Sequence, residues 1–119
     1  TSRMTDTDTI LDNHLEAFVQ HDLSDIMDNY ADESVLVTNI GTFSGQSGIE
    51  HLFDDLFADF SQDGTTIDIK KRIVKRPFAY IVWRAETPEN VYEFAAETFY
   101  IPEDKIQFQT LAADISSNN

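Results

Sequence analysis

The chain has 119 residues, which suits a single domain, and 41% of them are hydrophobic, enough to fill a core. The absence of cysteine excludes disulfide frameworks, thiol catalysis and cysteine-ligated metal sites. The formal net charge of -14 repels phosphate backbones and anionic lipid surfaces, so neither nucleic acid nor a membrane is expected as a partner.

No linker, internal repeat or low-complexity block divides the sequence. We therefore expect one domain over residues 1–119, with about 8–115 structured and flexible ends. No apolar run approaches the roughly 20 residues that span a bilayer, and the first residues lack the apolar stretch of a signal peptide. These features and the lack of cysteine favour a cytoplasmic location.

The helical spacing of apolar residues predicts three helices in the first half of the chain. The first runs over residues 10–19 with Thr7 or Asp8 as its N-cap, and the second is a short helix over residues 23–30. The third follows Ser47, whose spacing to Glu50 has the form of a capping box. Its apolar stripe consists of Ile49, Leu52, Phe53, Leu56, Phe57 and Phe60.

β-Branched and aromatic residues predict five strands. A short strand over residues 34–39 separates the second and third helices, and Gly41, Gly45 and Gly48 then supply turns. Four longer segments joined by tight turns, which favour antiparallel neighbours, are Thr65–Arg76, Phe78–Thr87, Val91–Ile101 and Lys105–Ile115. The alternation breaks at Lys71, which predicts a β-bulge. The order helix, helix, strand, helix and four strands predicts an α+β fold.

Three local motifs stand in the order in which one known superfamily has them. Asp22–Glu33 resembles its helix followed by Tyr-Ala-Asp-Asp and a strand, Gly45–Ile49 resembles its turn into the third helix, and Phe99–Ile106 resembles its last hairpin. The chain thus resembles the nuclear transport factor two-like superfamily, and its SnoaL-like branch in particular, over roughly residues 8 to 115. This fold hosts isomerases, dehydratases, hydrolases, cyclases and binding modules, so the resemblance leaves the function open.

The resemblance implies a cone-shaped, curved, mostly antiparallel sheet wrapped around the three helices, with a ligand pocket at the open end. It also implies a homodimer through the outer sheet face. The charge distribution supports the dimer independently, because residues 64–119 carry 8 acidic and 7 basic residues, whereas residues 1–63 carry 14 acidic residues and one basic residue. A nearly neutral β half is what such an interface requires.

In the ketosteroid isomerases of this fold, a carboxylate base works with a tyrosine and a protonated aspartate that bind the oxyanion. By resemblance, His14 stands at the position of that tyrosine, Glu97 at that of the aspartate and Thr38 at that of the base. A threonine hydroxyl cannot act as a base near neutral pH, so steroid isomerisation by that mechanism is not expected.

Glu97 and His14 are the candidate catalytic residues. Alternation places Glu97 on an apolar face of its strand, where burial would raise the carboxyl pKa and suit it to acid or base chemistry. A structural pair of Glu97 with Arg84 or a tyrosine is the alternative. His14 lies on the apolar stripe of the first helix, where a histidine is more often a core residue than a catalyst.

Further candidates could bind a ligand in the pocket. Thr38 and Asn39, at the end of the first strand, could hydrogen-bond it, although strand-end turn chemistry is an equal alternative. The candidate walls are Phe53, Phe57, Tyr80, Trp83 and Phe94, and Asp114 is an acidic candidate. The aromatic residues could equally be core, and Asp114 could be a surface residue.

Two functions remain open from the sequence. The first is a protein that binds a small apolar or aromatic metabolite, with His14 and Glu97 as polar anchors. The second is a cofactor-independent lyase or isomerase in which Glu97 or His14 moves a proton next to a carbonyl. An interaction module without a ligand is a weaker third option. The lack of a carboxylate at Thr38 favours the first. No phosphate loop, dinucleotide fingerprint or metal-ligand spacing occurs, so no cofactor and no metal are expected.

Overall fold

A computed structural model of the chain describes residues 6–118, so the expectation of flexible ends falls in part on residues outside that range. The helices are α1 (Thr7–Val19), α2 (Leu23–Met27) and α3 (Gly45–Phe60). The strands are β1 (Tyr30–Thr38), β2 (Gly41–Ser44), β3 (Thr66–Lys75), β4 (Phe78–Glu86), β5 (Asn90–Tyr100) and β6 (Ile106–Ser117). The predicted α+β fold and element order are confirmed, with one strand, β2, that the sequence did not predict.

Two predicted helix starts are wrong. Asp6 caps α1, since its carboxylate accepts from the backbone N–H of Thr9 at 3.1 Å, whereas Thr7 is buried and its hydroxyl donates to the carbonyl of Ile101. Helix α3 begins at Gly45, so Ser47 lies inside its first turn and forms no capping box. Gly45 has a φ of +74°, which a residue without a Cβ adopts at little cost.

The six strands form one sheet in the order β2-β1-β6-β5-β4-β3. Strand β1 pairs in parallel with β6, and every other neighbouring pair is antiparallel. Strand β2 exists because its four residues pair back onto β1 through the turn at Asn39 and Ile40. Its glycine and serine content resembles a turn, and only this pairing makes it a strand.

Register shifts in four of the pairings bend the sheet. They lie between Tyr30 and Val35, Ile69 and Lys71, Trp83 and Ala85, and Tyr92 and Phe94. The shift at Lys71 confirms the predicted bulge. Because each bulge adds local twist and bends its strand, the sheet curves around the helices without closing, and the fold is an α+β cone.

The concave face of the sheet and the apolar stripe of α3 form the core. Phe53, Phe57 and Phe60 of that stripe are buried, as are Ile81 and Phe99 on the sheet. Among residues 6–118, no helix is long and apolar enough to cross a membrane. The core does not fill the cone completely, and the space that remains is the candidate site.

Candidate functional site

A cavity of about 230 Å³ lies between α1, α3 and the concave face of the sheet. Its lining is mostly aliphatic and aromatic, and no lysine or arginine contributes to it. The polar residues in the lining, apart from the ring groups of Trp83 and Tyr92, are His14, Thr38, Asn39, Glu97 and Gln109. The site is therefore an apolar hollow with a few polar groups, the usual composition of a small-molecule pocket.

His14 is 3% exposed and is surrounded by aromatic rings. Its ring packs edge-on against Phe99 at 5.3 Å, Phe53 at 5.9 Å and Tyr30 at 6.1 Å between ring centroids. Its Nδ1 has no hydrogen-bond partner among the described residues. Burial lowers the pKa of His14 to about 4, so the imidazole is neutral at physiological pH.

Glu97 is 8% exposed and both of its carboxylate oxygens accept hydrogen bonds. The indole Nε1 of Trp83 donates to Oε2 at 2.7 Å, and the amide Nε2 of Gln109 donates to Oε1 at 2.6 Å. Burial raises the pKa of Glu97 to about 7, and these two hydrogen bonds oppose the rise because they stabilise the anion. The alternative pair with Arg84 does not form, since that guanidinium contacts Glu93 instead, at 3.7 Å.

Gln109 lines the cavity and Tyr30, outside the lining, bonds to it; neither was among the site residues predicted from the sequence. The hydroxyl of Tyr30 donates to Oε1 of Gln109, which leaves the amide of Gln109 free to donate to Glu97. Both residues are buried, and burial raises the pKa of Tyr30 well above its ordinary value. The one signal in the sequence was the position of Gln109, which alternates with Leu111 and Ala113 on an otherwise apolar strand face.

His14 and Glu97 line the same cavity, but no hydrogen bond joins them among the described residues. They are therefore two separate polar groups that a ligand could contact together. At neutral pH the arrangement offers a neutral imidazole with a free nitrogen and a carboxyl group that is divided between its acid and its anion. Both groups can hydrogen-bond to a hydroxyl group, and the protonated carboxyl group can also donate to a carbonyl oxygen.

Four more of the predicted residues also line the cavity. Phe53 and Trp83 form part of its buried wall, and Thr38 and Asn39 lie closer to its opening. The hydroxyl of Thr38 is engaged in the β1–β2 turn, where it donates to the carbonyl of Gly41 at 2.9 Å. The amide of Asn39 is paired with the backbone of Ala113 through two hydrogen bonds of 3.2 Å. Turn chemistry thus uses the polar atoms of both residues.

The other four predicted residues lie outside the cavity lining. Phe57 is buried in the core against Phe18 and Phe53. Tyr80 is three residues from Trp83 in one strand, so alternation turns it to the opposite, convex face. Phe94 and Asp114 are paired across β5 and β6, and both are exposed.

The described residues contain no group of three or more histidine, aspartate or glutamate side chains arranged to hold a metal ion. A second, smaller cluster of polar residues surrounds Asp59 on α3. Its carboxylate accepts from Thr87, Asn90 and Tyr92 at 2.7–3.1 Å, which ties the β4–β5 turn to the helix. Because the donors satisfy this carboxylate, the cluster has a structural role.

Comparisons with known proteins agree with this architecture. A family model described as SnoaL-like domain matches residues 11–107. Among curated proteins, no sequence matches this chain.

Solved structures share the fold at low sequence identity. An NTF2-like protein of unknown function from Cytophaga hutchinsonii has a TM-score of 0.73 and 10% identity, over 96% of this chain and 94% of that chain. A ketosteroid isomerase-like protein from Erwinia carotovora atroseptica has a TM-score of 0.62 and 13% identity, over 92% and 95%. The epoxide hydrolase/cyclase-like enzyme SalBIII, which has a role in pyran ring formation in the polyether salinomycin, has a TM-score of 0.77 and 13% identity, over 93% and 95%. At these identities the likeness shows the fold alone.

Proposed function

The chain belongs to the SnoaL-like domain family, and we propose that it binds a small, uncharged, largely apolar molecule through one oxygen that contacts His14 and Glu97. The observation that carries this proposal is that the imidazole of His14 and the carboxyl group of Glu97, both buried, line one apolar cavity. A hydrogen bond to such a buried polar group typically contributes about 1 kcal/mol.

Charge and volume narrow the class of ligand. A net charge of -14 and a lining without lysine or arginine disfavour a carboxylate or phosphate group. The volume of about 230 Å³ exceeds the ~150 Å³ cavity that holds benzene and is below the ~300 Å³ at which drug-sized pockets begin. A single substituted ring fits these limits.

Phenol and benzene are matched probes for this proposal, because they differ only in the oxygen. We expect both to shift the single indole resonance of Trp83 in an NMR titration, with phenol the tighter ligand. In His14→Leu, the affinity for phenol should fall about fivefold, which corresponds to one hydrogen bond of ~1 kcal/mol, and that for benzene should not fall. The exposed His51→Leu is the control. Absence of phenol binding, or an equal loss for both probes, would contradict the proposal.

A second candidate, a cofactor-independent lyase or isomerase, is favoured by one observation. Glu97 combines a position in the cavity wall with a pKa of about 7, which is near the optimum for general acid or base catalysis at physiological pH. In this mechanism the carboxylate removes a proton from the carbon next to a carbonyl and then returns one.

Cyclohexanone in D₂O tests the second candidate directly. If Glu97 acts as a base, the protein accelerates the exchange of the protons next to the carbonyl for deuterium, and Glu97→Gln abolishes the acceleration. Glu93→Gln, on the exposed side of the same strand, should retain it. Binding of cyclohexanone without accelerated exchange would leave a binding protein and no proton-transfer enzyme.

We further propose that two copies associate through the convex face of the sheet. Phe78, Tyr100 and Phe108 are cross-strand partners on that face, and each is at least a third exposed. A row of exposed aromatic residues of this kind favours an interface. Sedimentation equilibrium should give twice the monomer mass for the wild type and the monomer mass for Tyr100→Lys; a monomeric wild type would contradict this proposal.

A further inference from the structure

The opening of the cavity differs chemically from its interior. The buried part of the lining includes four aromatic residues: Phe53, Phe60, Trp83 and Tyr92. The exposed hydrophobic part is entirely aliphatic and consists of Val19, Ile40, Ile67, Ile69 and Ile115, which we call the rim. Ile40 is the most exposed of them, at 77%.

The rim brings together four separate parts of the chain. Val19 ends α1, Ile40 lies in the β1–β2 turn, and Ile115 lies near the end of β6. Ile67 and Ile69 come from β3, the edge strand on the far side of the sheet. Five exposed aliphatic side chains thus line one opening, and a group of exposed apolar residues at a pocket is typical of a ligand-binding site.

The bulge in β3 determines which isoleucines belong to the rim. Ile69 pairs with Trp83, which faces the cavity, whereas Ile73 pairs with Tyr80, which faces away from it. Ile69 and Ile73 lie four residues apart and are equally exposed, at 43%, yet only Ile69 lines the cavity. The two residues are therefore a matched pair for an experiment.

Most of the hydrogen-bonding capacity near the rim is already used within the protein. The hydrogen bonds of Thr38 and Asn39 are made within the β1–β2 turn and to the backbone of Ala113. A ligand that extends out of the cavity meets aliphatic carbon at the rim, so a hydrocarbon outer part gains contact there and leaves no polar group of its own unpaired.

We propose that the ligand is a ring with a hydroxyl or carbonyl oxygen that also carries an unbranched alkyl chain. This inference rests on the proposed function. It adds that the ring of the ligand lies in the cavity beside His14 and Glu97, while its alkyl chain covers the rim. The whole cavity, rim included, has a volume of about 230 Å³, which holds a ring and a small substituent, so a longer chain extends over the rim. An alkyl chain is the occupant that a solely aliphatic rim favours. The rim is continuous with the cavity that holds His14 and Glu97, so one ligand can occupy both.

The expected gain in affinity follows from the area that the chain covers. A fully buried methylene contributes a factor of about 4, and a chain that is covered on one side only gains roughly half of that free energy, or about twofold per methylene. Between 4-propylphenol and 4-hexylphenol, three methylenes should therefore increase the affinity about eightfold.

The experiment measures the affinities of phenol, 4-propylphenol and 4-hexylphenol by NMR titration of wild type, Ile69→Ser and Ile73→Ser. We expect Ile69→Ser to reduce the hexyl-to-propyl ratio of affinities by at least half, and this ratio, not the affinity for phenol itself, is the readout. Ile73→Ser should leave all three affinities unchanged, since its side chain is on the other face.

The outcomes separate this inference from the proposed function. If phenol binds but the affinity does not rise with chain length, or if both serine variants have equal effects, the alkyl chain does not cover the rim and the inference is wrong while the binding site stands. If Ile69→Ser changes the oligomeric state instead, a second copy covers the rim and the inference is also wrong. If no phenol binds, the proposed function fails and the inference fails with it.

Discussion

Changing Glu97 to glutamine should make the free energy of unfolding depend on pH, because it removes one of two contributions that nearly cancel in the wild type. Burial raises the pKa of Glu97 from 4.5 to about 7 and lowers that of His14 from 6.5 to about 4. The raised pKa of Glu97 makes a contribution to the free energy of unfolding that is complete below about pH 4.5 and is lost as the pH rises through about 7. The lowered imidazole pKa acts in reverse, because its contribution is complete above pH 6.5 and is lost as the pH falls through about 4.

The magnitudes can be worked out from these values. Between about pH 4.5 and 6.5 each contribution changes by up to 1.36 kcal/mol per pH unit, in opposite directions, so the two nearly cancel in the wild type. Over this window each amounts to about 2 kcal/mol, once the curvature at its two ends is included. In Glu97→Gln only the histidine contribution remains, so the free energy of unfolding should rise by about 2 kcal/mol from pH 4.5 to 6.5, relative to the wild type. His14→Leu should show the opposite slope.

Urea unfolding at several pH values between 4.5 and 6.5, followed by the fluorescence of the single tryptophan, measures these slopes. The difference between variant and wild type removes the contribution of the other carboxylates, and Glu93→Gln controls for the loss of one charge. We expect glutamine to be accommodated at position 97, since reversal of the Gln109 amide would let it accept from the new amide and donate to the hydroxyl of Tyr30. If Glu97→Gln and the wild type have parallel profiles, the carboxyl group is not desolvated and the reasoning is refuted.

Three further changes test separate parts of the structure. Gln109→Leu removes a hydrogen-bond donor that opposes the rise in the pKa of Glu97. An NMR titration should therefore place the midpoint of the Glu97 titration further above 7, and a lower midpoint would contradict this reasoning. Asp59→Ala should lower the free energy of unfolding in urea by about 2 kcal/mol because four side-chain donors lose their acceptor. Asp54→Ala, at an exposed position of the same helix, should lower it by less than about 0.5 kcal/mol, and equal losses would refute the structural role of Asp59. Gly45→Ala should cost about 1 kcal/mol in the same assay because its φ is +74°, and an unchanged stability would show that the left-handed conformation is absent.

Local patterns in the sequence predicted those parts of the fold that depend on local structure. The phenylalanine stripe of α3 has regular helical spacing, and the break at Lys71 marks a bulge, so both could be predicted from neighbouring residues alone. Strand β2 could not, because its four residues become a strand only by pairing with β1. The start of α3 at Gly45 also escaped prediction, since Ser47 has a favourable capping pattern that the preceding strand overrides.

The candidate site shows the same division. Alternation within one strand placed Glu97 on an apolar face and left its burial open, and the structure buries that face. The hydrogen-bond donors to Glu97 lie on the two neighbouring strands, and Gln109 is itself bonded to Tyr30, which is 79 positions away in the chain, so local patterns could not reveal the network. Phe94 could not be assigned a face from the sequence, because the register shift after Tyr92 changes the alternation locally.

The most direct test of the central claim is an NMR titration of the indole N–H of Trp83 against pH. This group donates to Oε2 of Glu97 at 2.7 Å, and it is the only indole in the chain, so its resonance reports the charge of that carboxyl group. We predict a single step centred near pH 7 in the wild type and no step in Glu97→Gln. A step near pH 4.5, the ordinary carboxyl value, would contradict the claim that the cavity buries an ionisable carboxyl group, as would a resonance that stays constant with pH.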